Sequence, residues 1–199
     1  MNLANRITLA RLFLVPVIMF FLLVNLNLPT ITMPEMMGKS FTITWNQIIA
    51  CLIFIIAAST DSLDGYIARK RQMVSNLGKL LDPLADKLLV ATVLISLVEM
   101  DKLSALAAII IISREFAVTA LRQVALLNQV VIPASRWGKW KTVTQIIAII
   151  ATLINNFPFF YFGIPFDQIA VWTAAVITIY SGIDYFVKSK NVIQFSDKA

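Results

Sequence analysis

The sequence predicts an all-α integral membrane protein with six transmembrane helices and a short N-terminal interfacial helix. Of its 199 residues, 59% are hydrophobic and only 14% are charged. A soluble domain is closer to half apolar and a quarter charged. Because one span needs about 20 apolar residues, the chain has room for about six spans and little else. We therefore expect a single domain, residues 1–199, embedded in the lipid bilayer.

The helices can be placed in order along the chain. The opening segment, MNLANRITLAR, has apolar residues at helical spacing, which indicates an interfacial helix. Residues 12–27 are long for the apolar region of a signal peptide and no small-residue cleavage site follows, so we expect a retained first span. Residues 28–46 contain prolines and a glycine and predict a loop. The other spans are expected at about residues 46–68, 80–100, 103–127, 138–157 and 166–187.

The connections between the spans carry unequal positive charge, and this predicts the orientation. Most lysines and arginines collect on the side of both termini, whereas the opposite side has Lys39 and Lys102. Because positively charged loops stay in the cytoplasm, both termini are expected on the cytoplasmic side of a plasma (inner) membrane. The same loops explain the net charge of +6, and we expect no nucleic-acid partner.

Histidine is absent, which restricts the chemistry. A general base must then be a carboxylate, a lysine, a tyrosine or a bound hydroxide. His-dependent triads and the usual zinc sites are excluded. Cys51 is the only cysteine, so no intrachain disulfide can form.

Four aspartates lie at the expected cytoplasmic ends of the second and third spans. Asp61 and Asp64 are three residues apart, and Asp82 and Asp86 are four apart, so each pair projects from one face of its helix. A short loop makes the two helices antiparallel neighbours, and the four carboxylates meet at one end. Hard oxygen ligands without histidine or cysteine favour magnesium, manganese or calcium. The alternative is pairing with the basic residues of the same stretch, Arg69, Lys79 and Lys87, which the intramembrane position disfavours.

Small residues beside the aspartates also indicate a ligand. Gly65 and Gly78 have no side chain where a ligand would need close approach to the backbone. Ala68 shares a helix face with the first two aspartates. Arg69, one turn beyond Gly65, is placed to hold a phosphate with two hydrogen bonds.

At these positions the chain resembles the CDP-alcohol phosphotransferase family. The family motif DxxDGxxAR…GxxxDxxxD is matched without departure by Asp61, Asp64, Gly65, Ala68, Arg69, Gly78, Asp82 and Asp86. The resemblance implies a six-span fold, usually homodimeric, and a site with two divalent cations, Mg²⁺ or Mn²⁺. It also implies a reaction in which an alcohol attacks the phosphoryl group of a CDP-linked lipid and CMP leaves.

The resemblance further implies roles for single residues. The metal ligands are expected to be Asp61, Asp64, Asp82 and Asp86. Asp86 is also expected to act as the general base on the attacking hydroxyl. The expected nucleotide and pyrophosphate contacts are Gly65, Ala68, Arg69 and Gly78. Asn5 and Thr8, before the first span, could line the nucleotide or acceptor site, or could cap a helix.

Basic residues in the later spans indicate the acceptor alcohol. Arg114 follows the apolar stretch ALAAIIIIS, and an arginine at this depth needs an anion, either Glu115 or a substrate phosphate. Arg122 lies about two turns further along the same face. The candidate acceptor-phosphate residues are Arg114, Arg122, Lys139 and Lys141. For Lys141 the alternative is a side chain that extends to the cytoplasmic rim.

A cationic pocket fits glycerol 3-phosphate and does not fit choline or ethanolamine, which are cations. The stretches NRITLARL, GKLLDPLADKLL, REFAVTALR and GKWKT resemble the bacterial branch of the family that uses glycerol 3-phosphate, although Ala4 stands where relatives often have proline. We therefore expect phosphatidyl transfer from CDP-diacylglycerol to glycerol 3-phosphate, giving phosphatidylglycerophosphate and CMP in phospholipid biosynthesis. Two alternatives stay open. One is the same chemistry with inositol phosphate or phosphatidylglycerol as acceptor, and the other is a divalent-cation transporter.

Overall fold

A computed structural model describes residues 3–36, 39–71, 76–127 and 136–188. These residues form six helices and one two-stranded hairpin. In chain order the elements are α1 (Leu3–Leu23), β1 (Thr30–Met36), β2 (Lys39–Thr44), α2 (Trp45–Arg71), α3 (Asn76–Glu99), α4 (Ala105–Leu127), α5 (Arg136–Leu153) and α6 (Phe166–Lys188). Inside these elements, the description leaves out the side chains of residues 3–8, 34, 36, 39, 61–84, 86, 126, 127 and 136.

The predicted mostly helical fold with six helices is confirmed, with two differences in its elements. The expected interfacial helix and the first span form one helix, α1, which continues through Pro16. The prediction of a loop over residues 28–46 is wrong for most of its length, because β1 and β2 pair in antiparallel register, with Ile31 opposite Ile43. Alternating threonines and isoleucines in both strands favour this pairing.

Among the described residues, one helix has the length and the apolar composition needed to cross a membrane, and this helix is α6. Two shorter apolar segments lie at Leu9–Leu23 and Trp45–Thr60. α4 has a comparable length of 23 residues. Its apolar sequence is interrupted by Arg114, Glu115 and Arg122.

The core lies where the helices meet. α1 packs against α2 and α3, while α6 packs against α4 and α5. Ile18 of α1, Phe54 of α2 and Leu89 of α3 are almost completely buried in one apolar cluster, which Ile111 and Ile149 extend into α4 and α5. Buried alanines on most of these helices bring their backbones close together.

The hairpin covers one end of the helices. Phe41 of β2 packs against the rings of Phe157, Phe160 and Tyr161 in the connection between α5 and α6. Asn155 donates from Nδ2 to the carbonyl oxygen of Thr42 at 2.9 Å. The start of α2 and the end of α3 meet at this hairpin end, because Gln47 and Lys102 both donate to Asn155 Oδ1. α2 and α3 are therefore antiparallel, and the end of α2 and the start of α3 lie at the opposite end of the molecule.

Lys102, in the connection between α3 and α4, makes stability at the hairpin end depend on pH. Burial lowers the pKa of its ammonium from 10.5 to about 8. Between these values the unfolded chain binds more protons than the folded chain, so the free energy of unfolding rises with pH. We expect the unfolding temperature in detergent to rise more between pH 8 and pH 10 in the parent than in Lys102→Met. An identical pH dependence in both proteins, measured by differential scanning fluorimetry, would contradict this.

Candidate active site

The motif positions lie at the end of the molecule opposite the hairpin. The last three turns of α2 carry Asp61, Asp64, Gly65, Ala68 and Arg69, and the first three turns of α3 carry Gly78, Asp82 and Asp86. Their side chains fall outside the described part of the structure, as do those of Asn5 and Thr8 in α1. Because α2 and α3 are antiparallel and in contact, the two aspartate pairs belong to the same end of the helices. The assignment of these residues as ligands stays a prediction.

Beside this end, Glu115 of α4 accepts hydrogen bonds from three cationic side chains. Lys87 of α3 donates from Nζ to Oε2 at 2.8 Å. Lys141 of α5 donates from Nζ to Oε1, and Arg114 donates from Nη1 to the same oxygen at 3.4 Å. Glu115 is buried, with 7% of its surface exposed. We call these four residues the Glu115 cluster; it joins α3, α4 and α5, and Lys87 directly follows the motif residue Asp86.

A small cavity of about 60 Å³ opens at the Glu115 cluster. It is lined by Phe54, Ala58, Lys87, Leu89, Val90, Glu115, Lys141, Thr142, Gln145 and Ile146. Ala58 lies three residues before Asp61 on α2, and Val90 lies four residues after Asp86 on α3. Since such spacings are about one helical turn, the cavity lies about one turn inside the motif positions.

A larger cavity of about 560 Å³ lies at the hairpin end, away from the motif. Polar groups in its wall hold the connection between α5 and α6. Asn156 donates from Nδ2 to the carbonyl oxygen of Ile164 at 2.7 Å and accepts from the backbone N–H of Asp167 at 3.1 Å. Lys102 donates to Asn155 in the same wall. These bonds give Lys102, Asn155 and Asn156 a structural role.

The other predicted acceptor-phosphate residues lie between α4 and α6 or on the surface. Arg114 donates from Nη2 to Ser181 Oγ of α6 at 2.7 Å. Its buried Nε has no hydrogen-bond partner in the described part of the chain. Gly182 leaves room for this side chain, since a Cβ there would come within 3.1 Å of Arg114 Cγ. Lys139 is exposed on α5.

Arg122 is held by an aromatic residue of α6. Its Nε donates to the hydroxyl of Tyr185 at 3.0 Å. The centre of its guanidinium lies 5.2 Å from the centroid of the same ring, within the range of a cation–π contact. Both arginines of α4 therefore face α6, as their spacing of eight residues predicts, while Lys141 faces Glu115.

Comparison with known proteins identifies the family. A family model described as CDP-alcohol phosphatidyltransferase matches residues 1–180, which include every motif position. The chain belongs to the CDP-alcohol phosphatidyltransferase family. The resemblance inferred from the motif is thereby confirmed.

Curated members of the CDP-alcohol phosphatidyltransferase family resemble this chain over nearly its whole length. A protein of Bacillus subtilis (strain 168), named CDP-diacylglycerol–glycerol-3-phosphate 3-phosphatidyltransferase, is 44% identical over 196 residues, which are 98% of this chain and 99% of the relative. A protein of the same name from Rickettsia typhi is 35% identical over 191 residues, 95% of this chain and 97% of the relative.

The sequence of this CDP-alcohol phosphatidyltransferase did not predict that Lys87 and Glu115 are paired beside the motif positions. From the sequence, Lys87 is an alternative partner of the aspartates, and Glu115 is one of two anions that could pair with Arg114. Each has a signal that could have been used. Lys87 directly follows a motif aspartate, and Glu115 is the carboxylate inside an apolar helix that contains two arginines.

Proposed function

We propose that this protein transfers the phosphatidyl group of CDP-diacylglycerol to glycerol 3-phosphate, giving phosphatidylglycerophosphate and CMP. The relatives named above carry the name of this reaction. The structural observation that supports it most is the Glu115 cluster, which lies directly beside the motif helices. The cluster has three cationic side chains and one carboxylate, which leaves two positive charges.

An excess of positive charge in a buried place favours an acceptor that carries its own anion. Uncompensated charge is costly to bury, and a phosphate dianion would neutralise the two remaining charges. Glycerol 3-phosphate supplies such a dianion together with a free hydroxyl. Choline and ethanolamine would add a further positive charge, so we exclude them as acceptors.

The enzyme works as a single domain with six membrane-spanning helices, a homodimer in the plasma (inner) membrane. Both termini and the motif end face the cytoplasm, because the basic connections lie on that side. CDP-diacylglycerol keeps its acyl chains in the bilayer and places its diphosphate at the motif end of α2 and α3. Glycerol 3-phosphate enters from the cytoplasm.

The motif carboxylates suit two divalent cations, Mg²⁺ or Mn²⁺. Their donor set is made of hard oxygen atoms, without imidazole or thiolate, which is the set these ions prefer. The residues that would hold them are Asp61, Asp64, Asp82 and Asp86. When bound, the two cations stabilise negative charge on the attacking and leaving oxygens.

The residues of the chain position the substrates and move one proton. Gly65, Ala68 and Gly78 let the nucleotide approach the backbone, and Arg69 binds the diphosphate. The basic residues of α4 and α5 hold the acceptor phosphate. Asp86 takes the proton from the sn-1 hydroxyl as its oxygen forms a bond to the lipid-linked phosphorus. The bond from that phosphorus to the CMP oxygen breaks, and CMP leaves.

An acceptor assay tests this function. Purified protein in detergent is given CDP-diacylglycerol, Mg²⁺ and one labelled acceptor at a time: glycerol 3-phosphate, inositol phosphate, phosphatidylglycerol or glycerol. We expect CMP release and a labelled lipid product with glycerol 3-phosphate only. Inactivity with glycerol 3-phosphate, or greater turnover with another acceptor, would overturn the acceptor assignment.

A further inference from the structure

We infer that Glu115 is a positioning residue for the acceptor, which fixes the ammonium groups of Lys87 and Lys141 as one phosphate-binding pair. Lys87 thereby joins the acceptor site. This inference rests on the proposed function, since it concerns the same phosphate.

Glu115 determines where the two ammonium groups lie. Its carboxylate uses one oxygen for Lys87 and the other for Lys141, and these lysines come from α3 and α5. A lysine carries a compact charge on a flexible stem of four carbons, so its position depends on its partners. Two ammonium groups repel each other, and a carboxylate between them allows both to stay charged and close.

The cluster keeps the capacity to bind an anion. Each ammonium has three N–H donors, and the bond to Glu115 uses one of them. Both lysines and Glu115 line the small cavity together with Thr142 and Gln145. An ion pair buried only for stability is often replaceable by apolar residues without loss, so stability gives little reason for three cations around one carboxylate here.

The position of Lys87 suits an acceptor whose phosphate lies a few bonds from its reacting hydroxyl. Lys87 and Asp86 are consecutive residues on the same turn of α3. A phosphate bound by Lys87 is therefore held near the helix turn that carries the general base proposed for the acceptor hydroxyl. Lys141 approaches the same carboxylate from α5 and would bind the phosphate from another side.

A Glu115→Gln variant tests the inference, because it keeps the side-chain volume and removes the charge. We expect the KM for glycerol 3-phosphate to rise about 10- to 100-fold, the range of lost hydrogen bonds between charged groups. The KM for CDP-diacylglycerol should stay close to the parent value. The unfolding temperature should fall, because the variant leaves buried cations without their carboxylate, so the kinetics are measured below it. If Glu115 only offset positive charge, its removal would make the site more positive. The KM for glycerol 3-phosphate would then fall or stay unchanged, which would overturn the inference.

Two further variants separate positioning from a loss of folding. Glu115→Asp keeps the charge, and we expect a KM for glycerol 3-phosphate well below that of Glu115→Gln; equal values would contradict a role for the charge.

Lys87→Gln is expected to raise the KM for glycerol 3-phosphate. The double variant Lys87→Gln, Glu115→Gln should have a KM only slightly above that of the more affected single variant, because the two residues act as one unit. If Glu115→Gln does not fold, the Asp and Lys87 variants decide alone.

Asp184→Asn is the matched control. Its carboxylate pairs with the exposed Lys188 at 2.7 Å. We expect Asp184→Asn to keep the parent KM for glycerol 3-phosphate. A rise in this KM equal to that of Glu115→Gln would show a general electrostatic effect and overturn the inference. A parent protein that is inactive with glycerol 3-phosphate refutes the proposed function itself. An active parent with an unchanged KM in Glu115→Gln refutes only the role of Glu115.

Discussion

Asp86→Asn is expected to abolish useful turnover, lowering kcat by about 10²- to 10⁴-fold, the range that a general base contributes. Asparagine has nearly the same volume but cannot take the proton of the attacking hydroxyl. The residues assigned to the nucleotide, Gly65, Ala68, Arg69 and Gly78, are unchanged, so binding of cytidine nucleotide should largely persist. CMP release at saturating substrate concentrations measures kcat, and isothermal titration calorimetry measures the binding of cytidine nucleotide.

Asp184→Asn again provides a carboxylate-to-amide control, because Asp184 lies near the end of α6 and pairs with Lys188. It should retain the parent kcat. Full activity in Asp86→Asn would remove Asp86 from the mechanism. Loss of nucleotide binding together with turnover would instead assign Asp86 to substrate binding and contradict its role as the base.

Removal of divalent cations is expected to reduce activity to background. Without them, the four carboxylates assigned as ligands would repel each other and the diphosphate of the lipid. Protein treated with a chelator and then dialysed should release no CMP, and added Mg²⁺ or Mn²⁺ should restore the rate. The unfolding temperature, measured in parallel, checks that the chelated protein stays folded. Undiminished CMP release by metal-free protein would contradict a metal-dependent reaction.

Helix positions could be predicted because their signals are local in the sequence. The last span was expected at residues 166–187, and the helix is Phe166–Lys188. The fourth was expected at residues 103–127, and the helix is Ala105–Leu127. The hairpin was missed because prolines and a glycine dominate residues 28–46. Its pairing depends on contacts between two strands and on the packing of Phe41 against the connection after α5.

The candidate site also has a part that local sequence signals predict and a part that depends on contacts between distant residues. The eight motif positions lie within residues 61–86, and their spacing on two helices joined by a short connection was sufficient to bring them to one end. The Glu115 cluster combines residues 87, 114, 115 and 141 from three helices. No local pattern pairs residues so far apart in the chain. The sequence therefore predicted that Arg114 needed an anion, but it did not predict that Lys87 and Lys141 share the carboxylate of Glu115.

The number of metal ions bound per chain tests most directly whether the motif aspartates hold two cations for the diphosphate. Electron paramagnetic resonance of protein titrated with Mn²⁺ in the presence of cytidine diphosphate gives this number. We expect about two ions per chain, as in two-metal sites, and weaker binding in Asp61→Asn and Asp82→Asn. No stoichiometric binding by the parent, or unchanged binding in both variants, would contradict the assignment of these carboxylates as metal ligands.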